Sequence, residues 1–501
     1  MVLEHFEPSH VWRIFEQVLT KTPRSSKKEE KIRGAVKNWL NQQKKNGAPL
    51  SITEDAIGNI CIKKSASSGI ENSPPILLQA HLDMVCETDR PGGFDFDSQP
   101  IPVRIQNNKE WVDADGTTLG ADNGIGVALI LGLLIDEKIN HGPLEVLLTV
   151  DEETGLTGAF ELDLQKHKIQ SKYLINVDSE ELGKITMGSA GGGDTIFTKK
   201  LRRTVPKNDG KRVFFELYVS GLRGGHSGGD IHRNRGNAHK IIARVMSNLL
   251  ETVKCNLCTW EGGSKHNAIP RESTIVFAAK VEDTKNIERS LKDQKKQLEK
   301  YYKSISYRTQ EAIEPNFTMK WKKIKIQSYI SRANTNDIIA TANMVHSGVI
   351  EFSPSMRNLT QTSNNFAIVR TSESKIEFIF STRSSIDADL HAFRLVLLQL
   401  GKLAGWKVKQ LGTYPGWIPD PSAEFLQFAK LQYEKTIGES VELKAVHGGL
   451  ETGIIGAMIP GLQMISIGPS IQNPHTPAER LKIKDVAILY EVLKNIIQNL
   501  R

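Results

Sequence analysis

Side chains of the types that bind metal ions stand where several predicted strands end. His81 and Asp83 close the apolar run ILLQAHLD, and Glu152 and Glu153 follow the run LEVLLTV. Asp178 follows the run YLINV in the same way. Because the ligand-binding crevice of an open α/β sheet lies at the carboxyl ends of its strands, we expect these side chains to converge.

Two further candidate ligands, Asp122 and His475, stand in predicted loops. Asp122 precedes a glycine-bearing turn into a helix, in TLGADNGIGVA, and His475 lies in NPHTPAER. Clustered carboxylates raise each other's pKa and lose hydration, so such a cluster requires positive charge. Two divalent cations remove that penalty, and the two oxygens of Asp122 could bridge them. The sequence therefore predicts a two-metal site.

The spacing within these motifs also predicts roles for residues beside the metals. Residues two apart on an extended segment face the same side, so Asp83 is expected to accept the ring N–H of His81 while the other ring nitrogen binds metal. Of the adjacent acids Glu152 and Glu153, one can bind metal and the other can stay free as a general base. Taken singly, each motif is more often a surface salt bridge, a turn or a solvent-facing pair. Their joint occurrence in this order favours the metal site.

The predicted elements around these residues fall into two kinds of region. Strand-like runs alternate with the apolar helical run NGIGVALILGLLIDE, which indicates a layered α/β domain. After the glycine-rich segment TMGSAGGGD, which we interpret as a flexible crossover between domains, amphipathic strands mix with charged helices. The alternation of strands and helices seen in the first region returns near the end of the chain. We expect a discontinuous α/β domain, a mixed sheet flanked by helices, with an inserted α+β domain.

Composition limits the functional class of the protein. The chain has 501 residues, 39% of them hydrophobic, enough for two cores. The net charge is +8, but two of the three main basic clusters are mixed with acids at helical spacing, which favours solvated helix faces over a nucleic-acid interface. Four cysteines and an N-terminus without a signal-peptide pattern favour a cytoplasmic location. The longest apolar run falls short of the ~20 residues that cross a bilayer, so we expect no membrane association.

Many blocks, in order along the chain, resemble one family. They include QAHLDMV, TTLGADNGIGVA, DEETGLTGA, GLRGGHSGGDIHRNRGNA, KHNAIPRE, HGGLETG and IGPSIQNPHTPAERL. Nearly end to end, the sequence resembles the zinc-dependent aminoacylase and dipeptidase superfamily of metallopeptidases, which contains peptidase T and the carnosinases. Within it, the aminoacyl-histidine dipeptidase subgroup is most similar. The resemblance implies a dipeptidase that hydrolyses unblocked dipeptides, of Xaa-His type with broad specificity.

The resemblance also implies a role for each candidate of the metal centre. Asp83 would orient a ligand, Glu152 would be the general base, and the peptide bond after the bridging aspartate would be cis. Two divalent ions per chain are implied, zinc with manganese and cobalt as alternatives. Five residues would hold them: His81 and Asp178 on one ion, Glu153 and His475 on the other, and Asp122 bridging.

The inserted domain resembles the lid of that family, and the implied bounds are 1–193 and 413–501 for the catalytic domain and 194–412 for the lid. From the lid, His226 would bind the developing oxyanion, and Asn267 and Arg383 would contact the dipeptide, Arg383 through its C-terminal carboxylate. The resemblance implies a homodimer formed through the lid, with His226 acting in cis or in trans. The alternatives are an N-acyl amino acid deacylase, a tripeptide aminopeptidase, or a catalytically silent peptide-binding protein.

Overall fold

The computed structural model describes residues 2–106, 109–207, 210–307, 309–325 and 327–501. The chain divides into two compact units. The first unit comprises Met1–Gly188, Pro419–Ala445 and Leu450–Arg501, and the second comprises Ser189–Ile418 and Val446–Gly449. The first unit is therefore built from segments on both sides of the second in the sequence.

A mixed eight-stranded sheet forms the centre of the first unit. Its four central strands are parallel, and the strands flanking them pair antiparallel. From edge to edge the strands are Leu50–Glu54, Ile60–Lys64, Leu144–Thr149, Ile76–His81, Tyr173–Asn176, Gln463–Ser466, Lys184–Ser189 and Glu442–Val446.

The two strands Ile76–His81 and Leu144–Thr149 are buried along their whole length, which explains their uninterrupted apolar runs. The helix Ala121–Ile135 packs against the first of them and is apolar nearly all round, because both of its sides are covered. The helices of this unit are Ser9–Ile14, Glu30–Lys45, Ala121–Ile135, Thr157–Phe160, Leu164–His167, Glu424–Ile437, Glu451–Met458 and Ile483–Asn499, with a π-helical turn at Phe15–Leu19.

A small four-stranded sheet of the same unit carries the loop with His475. This loop joins the strands Ile471–Gln472 and Arg480–Lys482, which pair antiparallel. The other two strands of the sheet are Trp111–Ala114 and Val103–Ile105. The last candidate ligand is thus presented by a hairpin instead of by the main sheet.

The second unit is built on a nine-stranded antiparallel sheet. Eight strands lie in the order Thr318–Ile324, Arg212–Ser220, Ser273–Lys280, Asn256–Gly262, Thr360–Thr371, Lys375–Ser384, Gly191–Lys200 and Lys407–Tyr414, and Gly348–Phe352 pairs with Thr360–Thr371. Two short pairs are Arg203–Thr204 with Tyr329–Ile330 and Gly225–His226 with Ala268–Ile269. The helices are Ala238–Thr252, Thr284–Tyr302, Arg332–Met344 and Asp387–Leu403, with 3-10 turns at Ile231–Arg233 and Val281–Asp283. Aromatic side chains, among them Phe366, Phe378 and Trp406, fill the core.

The glycine-rich segment does contain the boundary between the two units, but the prediction that it is flexible is wrong. Residues 184–189 and 191–200 form two strands, and residues 186–193 are buried. A Cβ on Gly191 would come within 2.5 Å of the Gly416 backbone nitrogen. The glycines are therefore required by close packing within a sheet instead of by chain mobility.

Among the residues that the structure describes, no helix combines the length and the apolar character needed to cross a membrane.

Candidate active site

Three adjacent parallel strands bring four of the predicted side chains to one edge of the sheet in the first unit. The strand ending at His81 lies between Leu144–Thr149 and Tyr173–Asn176, and His81 pairs with Thr149. The turns after the two outer strands carry the Glu152–Glu153 pair and Asp178. These groups meet because the carboxyl ends of parallel strands share one edge.

His81, Asp122 and Asp178 form the first cluster of donor atoms. The Nε2 atom of His81 lies 3.1 Å from Asp122 Oδ1 and 3.4 Å from Asp178 Oδ1. Two donors bound to one zinc at about 2.0–2.1 Å in tetrahedral geometry are roughly 3.3 Å apart. The spacing of the three groups therefore suits a single cation.

Asp122, Glu153 and His475 form the second cluster, on the other oxygen of Asp122. The Nε2 atom of His475 lies 3.0 Å from Asp122 Oδ2 and 3.1 Å from Glu153 Oε2. Because each oxygen of Asp122 faces a different imidazole, its carboxylate is placed as a bridge. The peptide bond between Asp122 and Asn123 is cis.

Asp83 connects the first cluster to the turn that carries the two glutamates. Its Oδ1 atom lies 3.3 Å from His81 Nδ1 and accepts the backbone N–H of Glu152 at 3.0 Å. Its Oδ2 atom accepts the backbone N–H of Glu153 at 3.2 Å and the hydroxyl of Ser26 at 2.8 Å. The Nδ1 atom of His81 also lies 3.2 Å from the backbone oxygen of Asp83, so backbone and carboxylate of this residue together orient the histidine, and the carboxylate holds the glutamate turn.

The electrostatics of the two clusters call for positive charge. Burial opposes protonation of His81, but the carboxylates of Asp178 and Asp122 outweigh it and raise its pKa well above the ordinary value. Asp122 and Glu153 raise the pKa of His475 to about 11. Burial and the neighbouring Asp178 raise the pKa of Glu152. The clustered carboxylates thus favour protonation of both histidines and of Glu152, which is the response to excess negative charge.

The donor set fits a pair of divalent cations. In each cluster one ligand atom per residue lies within 4.8 Å of the others. The Oε1 atom of Glu153 is buried without a hydrogen-bond partner in the described chain, as expected of an oxygen that serves a cation. A further acidic group of Glu29, Asp83 and Asp151 differs, since each of its carboxylates accepts backbone N–H or hydroxyl donors.

Two buried residues that the sequence did not single out hold the backbone behind the bridge. Glu479 accepts the N–H groups of Leu119 at 2.8 Å, Gly120 at 2.9 Å and Asp122 at 3.2 Å. Arg24 donates to the carbonyl of Gly120. The only available sequence signal was that Glu479 follows His475 by four residues in the last quoted block. Arg24 gave no local signal.

In the second unit, the structure brings His226, Asn267 and Arg383 together around Ser227. The backbone N–H of Ser227 donates to the carbonyl of Asn267 at 2.8 Å, and its hydroxyl lies 3.4 Å from Arg383 Nε. The Nδ1 atom of His226 accepts the N–H groups of Gly228 and Gly229, so a neutral ring carries its proton on Nε2. Burial, followed by the charge of Arg383, lowers the pKa of His226 to about 4.

Comparison with known proteins defines the class to which this chain belongs. The model of the peptidase family M20/M25/M40 matches residues 77–499. The chain therefore belongs to this family of metallopeptidases. The family resemblance inferred from the sequence blocks is confirmed.

Individual relatives are similar to this chain along its whole length. A cytosol non-specific dipeptidase from Escherichia coli (strain K12) is 37% identical over 502 residues, covering 99% of both chains. The crystal structure of an aminoacylhistidine dipeptidase from Vibrio alginolyticus superposes with a TM-score of 0.87 at 33% identity, covering 100% of this chain and 98% of that one. An aminopeptidase PepT from Bacillus cereus shares the fold at a TM-score of 0.55, 16% identity and 99% coverage of both chains. The predicted α/β fold class is confirmed.

Proposed function

We propose that the protein is a metal-dependent dipeptidase that hydrolyses unblocked dipeptides, of Xaa-His type with broad specificity. The observation that carries the proposal is the double cluster of two imidazoles and three carboxylates with Glu152 beside it, in a chain similar along its whole length to a dipeptidase. The fold alone is compatible with any peptidase of the family, whereas the end-to-end similarity to a dipeptidase favours dipeptides as the substrates.

The first part of the proposal concerns the metal ligands. His81 and Asp178 would hold one cation, Glu153 and His475 the other, and Asp122 both. The support is the pairing of each imidazole with a different oxygen of Asp122, at 3.1 and 3.0 Å. Asp83, 3.3 Å from the far side of the His81 ring, would fix the tautomer that leaves Nε2 free for metal.

Glu152 is the proposed general base. Its carboxylate lies beside the ligands His81 and Glu153 and has no hydrogen-bond partner among the described residues. A bound pair of divalent cations would lower the pKa of the attacking water and polarise the peptide carbonyl. Glu152 would accept the proton of that water as its oxygen forms the new bond to the carbonyl carbon. It would return the proton to the departing amine nitrogen as the C–N bond breaks, leaving two amino acids.

The second unit would supply the substrate contacts. The tautomer of His226 leaves an N–H on Nε2, which suits a donor to the developing oxyanion. Asn267, half-buried next to Ser227, would contact the peptide, and Arg383 would hold the C-terminal carboxylate. We propose that residues 194–412 form the lid and that residues 1–193 and 413–501 form the catalytic domain.

The proposed base is tested by Glu152→Gln, with Glu161→Gln, an exposed acid of the same unit, as the control. Loss of a general base is expected to reduce kcat by about 10²–10⁴-fold. Metal content measured by mass spectrometry should stay unchanged. Near-normal turnover of the Glu152 variant would remove this residue from the role of base.

The substrate class is tested with a panel of Xaa-His dipeptides, other dipeptides, tripeptides and N-acetylated amino acids. We expect the highest kcat/KM for the dipeptides. A higher kcat/KM for tripeptides would indicate a tripeptide aminopeptidase instead, and a higher kcat/KM for acetylated amino acids would indicate a deacylase. Binding of dipeptides without turnover by metal-loaded protein would identify a silent binding protein.

Zinc is the proposed metal, because carboxylate and imidazole donors at tetrahedral spacing suit it. Manganese and cobalt are accepted by similar donor sets. Protein stripped with a chelator and reloaded with each metal separately should bind two ions per chain and recover the highest activity with zinc. A higher activity with manganese at equal occupancy would overturn the choice of zinc.

A second copy of the chain is the proposed partner, bound through the second unit. The helix Asp387–Leu403 exposes Leu395 at 41%, Val396 at 52% and Leu403 at 90%. The strand Lys407–Tyr414 lies at the edge of the nine-stranded sheet. Exposed apolar stripes and open sheet edges are typical of interfaces.

This assembly is tested by light scattering of the wild type and of Leu403→Glu. We expect a dimer for the wild type and a monomer for the variant. Leu431→Glu, which changes a leucine of the first unit that is 48% exposed, should stay dimeric. A monomeric wild type at micromolar concentration would contradict the proposal. A cytoplasmic location is proposed as well, and cell fractionation tests it.

A further inference from the structure

Arg383, Gly192 and Tyr414 form a row across three neighbouring strands of the second unit. The strand that carries Gly192 runs between the other two, and Gly192 pairs with Arg383 on one side and with Tyr414 on the other. Directly paired residues of antiparallel strands project to the same face of a sheet. The arginine and tyrosine side chains therefore share one face, with the glycine between them.

The missing side chain of Gly192 lets the two outer side chains meet. A Cβ at this position would lie 2.5 Å from the phenol oxygen of Tyr414. With only hydrogen there, the phenol extends over the glycine and accepts a hydrogen bond from Arg383 Nη1 at 2.9 Å. Gly192 is thus the position that permits the contact between Tyr414 and Arg383.

The charge of Arg383 is left without a counter-ion. Arg383 is only 6% exposed, and it forms no ion pair with a carboxylate of the described residues. A buried charge without a partner is costly, so such an arginine is typical of a site completed by an anionic ligand. The phenol of Tyr414 accepts from Arg383, and its own hydrogen has no acceptor in the described chain.

The neighbouring ionisable groups do not neutralise this arginine. Burial and the charge of Arg383 lower the pKa of His447 to about 3, so this ring is neutral. Asp194, two residues along the strand from Gly192, lies 3.0 Å from His266 Nδ1 and raises the pKa of that histidine. This acid on the neighbouring strand is therefore already paired.

We propose that Tyr414 is a substrate-binding residue that, held over Gly192, donates its hydroxyl hydrogen to the same C-terminal carboxylate that Arg383 binds. The inference rests on the proposed dipeptidase function and deepens it. An arginine with a neighbouring phenol donor selects a planar anion over a neutral amide. The substrate class is therefore restricted to peptides with a free C-terminal carboxylate.

The first experiment needs no mutation. Wild-type protein loaded with zinc is assayed on a dipeptide and on the corresponding dipeptide amide. We expect a KM for the amide at least 10-fold higher. Equal KM values with active hydrolysis of both would overturn the carboxylate subsite while leaving the dipeptidase in place. Failure to hydrolyse either compound would instead overturn the proposed function.

The second experiment assigns the effect to Tyr414. For Tyr414→Phe, which keeps the ring, we expect KM for the dipeptide to rise roughly 10- to 100-fold, the loss expected for one hydrogen bond to a charged group. The kcat should change less than threefold, and KM for the amide should not change. Tyr218→Phe, which removes a phenol bound to Glu272 on the same unit, is the matched control.

Gly192→Ala provides an independent test of the geometry. The new methyl group displaces the phenol, so this variant should reproduce the rise in KM, and the double variant with Tyr414→Phe should add nothing further. Additive effects would show that the two residues act separately and would contradict the proposal. An unchanged KM in Tyr414→Phe would also overturn it.

Discussion

Replacing Glu479 with glutamine tests whether the backbone behind the bridging aspartate is held by this carboxylate. Glu479 is 1% exposed and accepts three backbone N–H groups, two on Oε2 and the one from Asp122 on Oε1. Glutamine keeps the shape but puts an NH2 group in place of one oxygen. At least one of the three N–H groups then faces a donor.

The magnitude follows from that loss. A hydrogen bond to a charged group contributes about 1.5–3 kcal/mol, and a buried N–H left unpaired costs about 1–3 kcal/mol. Because the two contributions overlap, we expect the free energy of unfolding to fall by about 3 kcal/mol, which lowers Tm by about 3–5 °C for a unit or chain of this size. Since Asp122 is displaced as well, metal affinity should fall by about 10–100-fold, as for other residues that orient ligands.

The assay compares Glu479→Gln with Glu145→Gln. Glu145 is 4% exposed and accepts the N–H groups of Gln170 and Ser171, both at 2.9 Å on Oε2. It lies near the start of its strand, away from the end that carries the Glu152–Glu153 turn. Thermal unfolding should show both variants destabilised. Zinc titration by calorimetry should show weakened binding only for the Glu479 variant.

The refuting result is specific. If the two variants lose similar stability and bind zinc with the same affinity as the wild type, Glu479 serves folding alone. The inference that the hydrogen bonds of Glu479 determine the position of Asp122 would then be wrong.

Three further predictions concern metal removal, pH and thiol reactivity. Chelation should lower Tm by several degrees, because clustered carboxylates lose their counter-charge, and stoichiometric zinc should restore it. Burial lowers the pKa of His239 to about 3. In the unfolded chain His239 has a pKa of ~6.5, so on acidification the unfolded state takes up this proton before the folded state does. The contribution of His239 to the free energy of unfolding is therefore fully present above about pH 6.5 and falls by about 1.4 kcal/mol per pH unit below it. Urea titrations of His239→Gln should show a shallower decline; an identical slope would contradict the assignment. Burial raises the pKa of Cys61, Cys255 and Cys258 to about 12, so these thiols should react with Ellman's reagent only after unfolding, and rapid labelling of the native protein would refute this.

The sequence predicted the ligand edge because each relevant strand is a long apolar run that stops at a polar side chain. The position of His81 and Asp178 at this edge could be predicted in advance, since both the strand and its end are local signals. Arg24 could not, because its partners, the carbonyls near residues 82 and 120, are far away in the sequence. The glycine run before Asp194 was misread because glycine has no local strand preference. Its conformation is set by the residues that pack over it.

The hairpin that carries His475 has a consequence for synthesis. The other four proposed ligands lie between residues 81 and 178, and the whole second unit is translated before the fifth, His475, appears. A ribosome-bound chain would therefore present an incomplete set of proposed ligands until the hairpin with His475 has emerged and folded onto the first unit. With the proposed ligand set, hydrolytic activity is thus withheld from the nascent protein until synthesis has passed this hairpin.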